Sequence, residues 1–342
     1  SVLDEHNLLC SDILKLLPWA ARYSVHPLGD VVQAALPVYL RSTDDATPVL
    51  TEFWRLKKQE VTRSDPQAQN DVLETLKRAP KQLQLYHLLQ NAEESLDAEA
   101  LNALTENWRA PAKALLEKRL IETFVKPALL KQDKEITTAP MLHDEQTDAI
   151  KRIEAHRQQH AVHVINGITG SGKTEIYLAL CESMLADNRQ ILVLVPEIGL
   201  TPQLTQRFLE RLNATVVVLH SAMNDKQRYA AWHAAANRQA QLVIGTRSSI
   251  FTPLPDIGLI IVDEEHDGSY KQQDGFRYNA RDLAILRAKN NNIPIVLGSA
   301  TPSLETLNNI NEQRYQVHYL KQRANKKPLP KIELVNPVSY TH

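Results

Sequence analysis

The chain has 342 residues and a mass of 38.7 kDa, enough for roughly two domains of about 150 residues each and at least one large core. With 43% hydrophobic and 23% charged residues, and no apolar run near the ~20 residues of a spanning helix, its composition excludes membrane-spanning and disordered classes. Lys plus Arg is 39 and Asp plus Glu is 40, a net charge of −1, so a polyanionic partner would have to be met by a local basic patch.

The sequence starts at Ser1 without a basic, apolar, small-residue leader, and that start is expected to reflect truncation or processing. Its two cysteines, Cys10 and Cys181, have no metal-ligand spacing, which suits a reducing cytoplasm and argues against a disulfide scaffold. Of the ten glycines only Gly29 lies outside 167–298, so sharp turns and close backbone approaches, and the chemistry with them, are expected there.

From Leu8 to Arg41, apolar residues (Leu9, Ile13, Leu16, Leu17, then Val31, Val32, Ala35) recur at helical spacing, and Pro27 and Gly29 break the stretch into two helices. Residues 42–72 lose that periodicity and read as a linker with one apolar patch at Phe53 and Trp54. Pro80 opens a helix with Leu85, Leu88 and Leu89 on one face; Leu96–Leu104 gives a second, Pro111–Lys118 a third, and Leu120–Val125 alternates as a strand. Three short helices and a strand suggest a winged helix-turn-helix whose third helix enters a DNA groove. Across 109–126, Arg109, Lys113, Lys118, Arg119 and Lys126 oppose Glu117 and Glu122, which makes Lys113 a candidate DNA contact; a helical packing module without DNA contact is the other reading.

Beyond residue 140, β-branched runs alternate with helical patterns: Val162–Ile165, Ile191–Val195, Val216–Leu219, Leu242–Ile244, Leu259–Val262 and Ile293–Leu297. Such runs mark strands buried on both faces, so the expected fold class is α/β, a doubly wound parallel sheet preceded by the small winged-helix domain. Past Lys321 the chain turns basic and Pro-rich (Arg323, Lys326, Lys327, Pro328, Pro330) and reads as a linker.

Gly167-Ile-Thr-Gly-Ser-Gly-Lys-Thr174 follows a predicted strand and opens a predicted helix, the context a phosphate loop requires. Gly167, Thr169, Gly170, Ser171 and Gly172 would wrap a β-phosphate with backbone N–H groups, Lys173 would neutralise β and γ oxygens, and Thr174 would ligate Mg²⁺. Glu175 closes the candidate nucleotide-binding set on this segment. The buried run Leu259–Val262 delivers Asp263-Glu264-Glu265-His266 at a strand's carboxyl end, where open α/β sheets bind ligands. Asp263 would hold the Mg²⁺ shell and Glu264 would orient and deprotonate the attacking water, because phosphoryl transfer is mostly positioning and charge stabilisation.

The acid run resembles the DExH box of superfamily 2 helicases, with neighbouring segments in the same order. Pro196–Gln203 is similar to motif Ia, Gly245-Thr-Arg-Ser-Ser249 to motif Ib, and Gly298-Ser-Ala-Thr-Pro302 to motif III. The wording of these segments resembles that of the PriA-type replication-restart helicases through essentially the whole chain. That resemblance implies an ATP-dependent 3′ to 5′ DNA helicase with a RecA-like lobe, which recognises stalled or abandoned forks and promotes primosome assembly. Its implied partners are forked and single-stranded DNA, single-stranded DNA-binding protein and the primosome proteins PriB and DnaT with DnaB loading, in a bacterial cytoplasm at the nucleoid and away from any membrane. His266 joins Lys173, Asp263 and Glu264 in the implied catalytic set; Gln146, in His143-Asp-Glu-Gln146, falls where these helicases read adenine, or else marks a solvated helix start. Thr201, Gln203, Arg247 and Ser248 resemble strand-contacting residues, with local capping or surface polarity as the alternative. The same resemblance implies that Ser299 and Thr301 link nucleotide state to DNA grip.

The stretch Asp267–Arg281 interleaves Tyr270, Phe276 and Tyr278 with Lys271, Arg277 and Arg281. Aromatic faces stack bases and cations hold phosphates, so this is a candidate single-strand sensor directly after the acids; aromatics capping the core are the alternative. The four tryptophans, Trp19, Trp54, Trp108 and Trp232, are expected to pack.

The expected divisions are 1–45, the closing helices of an N-terminal DNA-binding domain; 46–72, a linker; 73–130, the winged helix; 131–320, helicase lobe 1; and 321–342, a linker toward a second lobe. The resemblance also implies that second lobe, with its arginine fingers, and a cysteine-rich zinc-binding insertion. Two cysteines cannot form that site, so no zinc is assigned to this chain. Without an arginine finger the chain is expected to bind ATP and turn it over very slowly. A fork-binding scaffold in which ATP acts as a conformational switch is the rival reading, and an RNA-duplex helicase fits the motifs as well.

Overall fold

A computed structural model describes residues 8–41, 51–57, 76–92, 95–126, 140–168, 170–197 and 202–322. The chain divides into two compact units, one of Asp45–Leu129 with Asn224–Ala231, the other of Ser1–Asp44, Leu130–Met223 and Trp232–His342.

Helices α1 (Ser11–Tyr23) and α2 (Leu28–Ala35) part at Pro27, as their sequence predicts. α1 buries Ile13, Leu16, Leu17 and Ala20 along one face. These helices lie in the same compact unit as the large sheet. The reason is a packed, charge-paired face: Asp12 of α1 pairs with a buried arginine in the larger unit, Arg287.

The smaller unit carries β1 (Thr51–Leu56), α3 (Pro80–Asn91), β2 (Leu96–Asp97), α4 (Ala98–Leu104), α5 (Arg109–Glu117) and β3 (Ile121–Lys126). Its antiparallel sheet has the order β2-β1-β3, with Trp54 opposite Thr123 and Phe53 opposite Asp97. The predicted linker thus contains a strand at its start, while 46–50 and 58–72 lie outside the described residues. Six residues with polar Glu52 and Arg55 among them give little periodicity, and their partner strand is distant in sequence, so local pattern could not find β1. Trp54 and Trp108 meet edge to face at 4.7 Å, over a core of Leu85, Leu89, Leu101 and Leu115.

The larger unit continues with α6 (Asp144–Glu154), β4 (Ala161–Gly167), α7 (Lys173–Ala186), β5 (Gln190–Leu194), α8 (Pro202–Arg211) and β6 (Val216–Leu219). After α9 (Asp225–Ala236) come β7 (Leu242–Gly245), β8 (Ile257–Val262), α10 (Ala280–Asn291), β9 (Pro294–Ser299), α11 (Leu304–Asn311) and β10 (Gln316–Leu320). Seven strands form one parallel sheet in the order β10-β4-β9-β8-β5-β7-β6, a doubly wound, RecA-like α/β lobe. The six predicted strands are all present; β10 is the addition, an edge strand whose exposed Gln316 and Tyr319 break the continuous apolar run seen in the others. β5, β8 and β9 are buried at every position, which is why their sequences read as unbroken hydrophobic runs. Trp232 is buried, and Trp19 stacks on Tyr23 at 4.6 Å.

Candidate functional site

Parallel strands bring all their carboxyl ends to one edge of the sheet, and β4 and β8 stand there with only β9 between them. β4 ends at Gly167, and the loop to Lys173 turns back into α7. Gly170 and Gly172 hold φ of 81° and 82°, a left-handed backbone that strains any residue with a Cβ. Lys173 Nζ donates to Gly167 O at 3.1 Å and lies 3.5 Å from Glu264 Oε1. Ser171 Oγ is buried without a hydrogen-bond partner, at the amino end of a helix. A largely buried ammonium beside one carbonyl and one carboxylate, together with an orphaned hydroxyl and a helix N-terminus, fits a loop shaped for a phosphate. Thr174, the second residue of α7, is half-buried beside Lys173.

Gln146 is not a solvated helix start. It is 3% exposed, its Nε2 donates to Ser171 O at 3.1 Å, and its Oε1 accepts from the His143 N–H at 2.9 Å. It braces the phosphate loop from behind the start of α6. Glu175 is engaged elsewhere as well, accepting from Arg207 of α8 at 2.8 Å.

The acids emerge from β8. The Asp263 N–H donates to Leu194 O, its carbonyl accepts from the Tyr270 hydroxyl at 2.6 Å, and its Oδ1 accepts from the Tyr177 hydroxyl at 2.8 Å. Burial raises the Asp263 carboxyl above its ordinary range, opposed by the Tyr177 hydrogen bond and by Lys173 and assisted by Glu264. Burial and the Asp263 charge push the Tyr177 phenol well above its usual range, so it remains a donor. Glu264 sits at φ 44°, a strained conformation for a side-chain-bearing residue and one that accompanies functional sites. Its second oxygen lies 3.7 Å from His266 Nδ1, which is 2.8 Å from Ser299 Oγ; that oxygen in turn accepts from the Thr301 N–H at 3.0 Å. The acid run and the Gly298–Pro302 segment are therefore in direct contact through His266 and Ser299.

Glu265 is a residue that sequence reasoning left without a role. It is fully buried and accepts from the Ser303 N–H (2.7 Å), Thr306 Oγ1 (3.0 Å) and Arg281 Nη1 (2.9 Å). The helix-start signal Ser303-Leu-Glu-Thr306 was readable, but nothing local pairs it with an acid nearly forty residues upstream.

The aromatic stretch is corrected. Tyr270, Phe276 and Tyr278 are 1%, 6% and 8% exposed. Phe276 stacks on Tyr278 at 4.9 Å, Phe251 meets Tyr278 edge-on at 5.1 Å, and His26 lies 5.7 Å from Phe276. The rings cover one another and the Tyr270 hydroxyl is bonded to Leu194 O and Asp263 O, so they pack the core here and offer no face to a base. Arg281 is likewise buried, paired with Glu265 and Asp282. Lys271 and Arg277 stay exposed. Arg247 holds this loop, with Nη1 donating to Ser269 O at 3.0 Å and Lys271 O at 2.9 Å. Ser248, Gln203 in the first turn of α8, and Lys113 on α5 are exposed; Thr169 and Thr201 lie outside the described residues. Among the described residues no group of three His, Cys, Asp or Glu could hold a metal, and no helix is long and apolar enough to cross a membrane.

Residues 143–310 match the DEAD/DEAH box helicase family, and residues 1–37 match the PriA 3′DNA-binding domain (3′BD). Replication restart protein PriA of Haemophilus influenzae is 42% identical over 323 residues, which is 90% of this chain and 42% of that protein. PriA of Bacillus subtilis is 39% identical over 269 residues (76% of this chain, 33% of that protein), and PriA of Chlamydia trachomatis 33% over 336 residues (96% and 43%). The chain thus spans less than half the length of these relatives. A phosphate loop facing an Asp-Glu-Glu-His run on a parallel sheet, matched along most of its length by these proteins, places the chain in the PriA family of DEAD/DEAH box helicases.

Proposed function

We propose that the chain carries the ATP-binding lobe and part of the DNA-binding apparatus of a 3′ to 5′ DNA helicase that restarts replication at stalled or abandoned forks. The observation that carries this reading is Lys173 reaching across the crevice to within 3.5 Å of Glu264, with Asp263 beside them. The loop N–H groups and Lys173 bind the β and γ phosphates, and the ammonium exchanges its protein partners for phosphate oxygens. Thr174 and Asp263 would hold Mg²⁺, which when bound neutralises charge on those oxygens. Released from Lys173, the Glu264 carboxylate orients water for in-line attack and takes its proton. His266, joined to Ser299, carries the state of the acid run to the Gly298–Pro302 segment.

The exposed Lys271, Arg277, Ser248 and Gln203, with Thr201, are the proposed strand contacts of this lobe, and α5 with Lys113 those of a winged helix. Single-stranded DNA-binding protein and the primosome proteins PriB, DnaT and DnaB are the proposed partners, in the bacterial cytoplasm.

The test is fluorescent ATP-analogue binding and steady-state hydrolysis by this chain and its Lys173→Ala variant, with and without forked DNA. Binding should weaken at least tenfold in the variant, and hydrolysis by the chain should be slow, because an arginine finger supplies on the order of 10³-fold or more. Equal binding by both proteins sinks the reading. Tight fork binding with nucleotide-independent behaviour in both would favour a scaffold.

A further inference from the structure

Tyr177 lies one turn beyond Lys173 on α7, with its ring buried against the sheet. An apolar position on that face would accept phenylalanine or leucine, yet the hydroxyl is there and has one use: it donates to Asp263 Oδ1 at 2.8 Å. The space it occupies is kept open from the other side. A Cβ at Gly298 would fall 1.6 Å from Tyr177 Oη and 3.1 Å from Asp263 Oδ1, so the first residue of the Gly298–Pro302 segment must be glycine for the phenol to reach the acid. Around that hydroxyl three elements meet: α7, which carries Lys173 and Thr174; the end of β8, which carries the acids; and β9, whose Gly298 O accepts from the Glu265 N–H at 3.0 Å.

The backbone of Asp263 is fixed by Leu194 and Tyr270, which leaves rotation about its side-chain bonds as the freedom that decides where the carboxylate points. The hydrogen bond from Tyr177 removes that freedom. We propose that Tyr177 is a positioning residue for the divalent cation that accompanies the nucleotide, holding one Asp263 oxygen so that the carboxylate is presented toward Thr174. The proposal rests on the nucleotide-binding reading above. It assigns to Gly298 a steric part in the same arrangement.

Tyr177→Phe keeps the ring and removes only the hydroxyl, so the core stays filled. The measurement is the affinity of a fluorescent ADP analogue, titrated with and without Mg²⁺, for wild type, Tyr177→Phe and Lys173→Ala, with Mn²⁺ binding followed by electron paramagnetic resonance. Removing a group that orients a metal ligand typically weakens metal affinity by 10–100-fold. The half-saturating Mg²⁺ or Mn²⁺ concentration should therefore rise about tenfold in Tyr177→Phe, while affinity for the metal-free nucleotide stays within about twofold. Gly298→Ala should move the metal dependence in the same direction by displacing the phenol. An unchanged Mg²⁺ dependence in Tyr177→Phe overturns the proposal, as does an equal loss with and without metal, which would make the hydroxyl part of the general packing. If Lys173→Ala binds nucleotide as well as wild type, the nucleotide-binding reading itself falls, whatever Tyr177 does.

Discussion

Asp12 and His318 each fasten an outer element of the lobe, and they do so by opposite chemistry. Asp12 holds α1: its Oδ2 accepts from Arg287 Nε of α10 at 2.8 Å, its Oδ1 accepts from the Cys10 thiol at 2.6 Å, and Arg287 Nη1 goes on to Ile250 O at 2.8 Å. His318 holds the edge strand β10: its Nε2 lies 3.0 Å from Nδ1 of His163 on β4, beneath the ring of His156. The first is a charged pair. The second is a hydrogen bond between imidazoles, possible only while one ring nitrogen is free to accept. Each leaves one buried nitrogen without a partner, Arg287 Nη2 and His163 Nε2. A charged pair withstands mild acid and fails when one member is removed; a neutral pair tolerates loss of a member and fails in acid.

The largest expected effect comes from breaking the charged pair. Arg287 is fully buried, so Arg287→Met strands the Asp12 carboxylate away from water. Leaving one buried charge uncompensated typically costs about 3–5 kcal/mol. Urea denaturation should show that loss for the single variant, and adding Asp12→Leu should recover most of it, because apolar replacements of a buried pair are often neutral. A loss below about 1 kcal/mol would mean that α1 moves aside and lets water reach Asp12.

How far these features were legible in the sequence follows from the range of the interactions. The phosphate loop and the acid run are contiguous, and their strands are apolar on both faces, so loop, box and six strands of the sheet could be read directly. Asp12 with Arg287 and His163 with His318 are separated by 275 and 155 residues, and no local periodicity encodes such pairs. The aromatic loop failed for a different reason. Interleaved rings and cations describe both a base-stacking surface and a core-capping loop; only the third dimension shows Phe251 and His26 closing over Phe276 and Tyr278. Tyr177 was legible as a buried helix face, and its hydroxyl partner was not.

Acid is the second way to separate the two pairs. Burial, with the charges of His318 and His156, pushes His163 down to about 3; burial, with Arg152 and His156 and against Asp148, pushes His318 down to about 4. In the unfolded chain both titrate near 6.5. The unfolded state therefore gains protons first as pH falls, and stability that is fully present above pH 6.5 is lost progressively toward pH 4 for His318 and toward pH 3 for His163. At about 1.4 kcal/mol per pH unit, the loss by pH 5 is about 2 kcal/mol for each histidine. Asp12 behaves otherwise: burial works to raise its carboxyl, but Arg287 and the Cys10 thiol outweigh it and hold it below the usual range. Its contribution is retained at pH 5 and lost only as pH falls below about 4. Denaturation midpoints between pH 7.5 and 5 that do not move would show that the imidazoles are already hydrated in the folded state.

The smallest expected effect changes sign with pH, which makes it the sharpest test of the comparison. His163→Leu removes the hydrogen bond to His318, worth about 1 kcal/mol, and also removes a buried nitrogen that has no partner, whose relief is of similar size. At pH 7.5 the variant should therefore lie within about 1 kcal/mol of wild type. At pH 5 the wild type is penalised for keeping His163 neutral and the variant is not, so the variant should be the more stable by about 1–2 kcal/mol. Urea denaturation at the two pH values should give curves that cross. Curves that stay parallel would place the acid sensitivity outside this pair, and would leave β10 held by its backbone ladder to β4 and by the burial of Leu320.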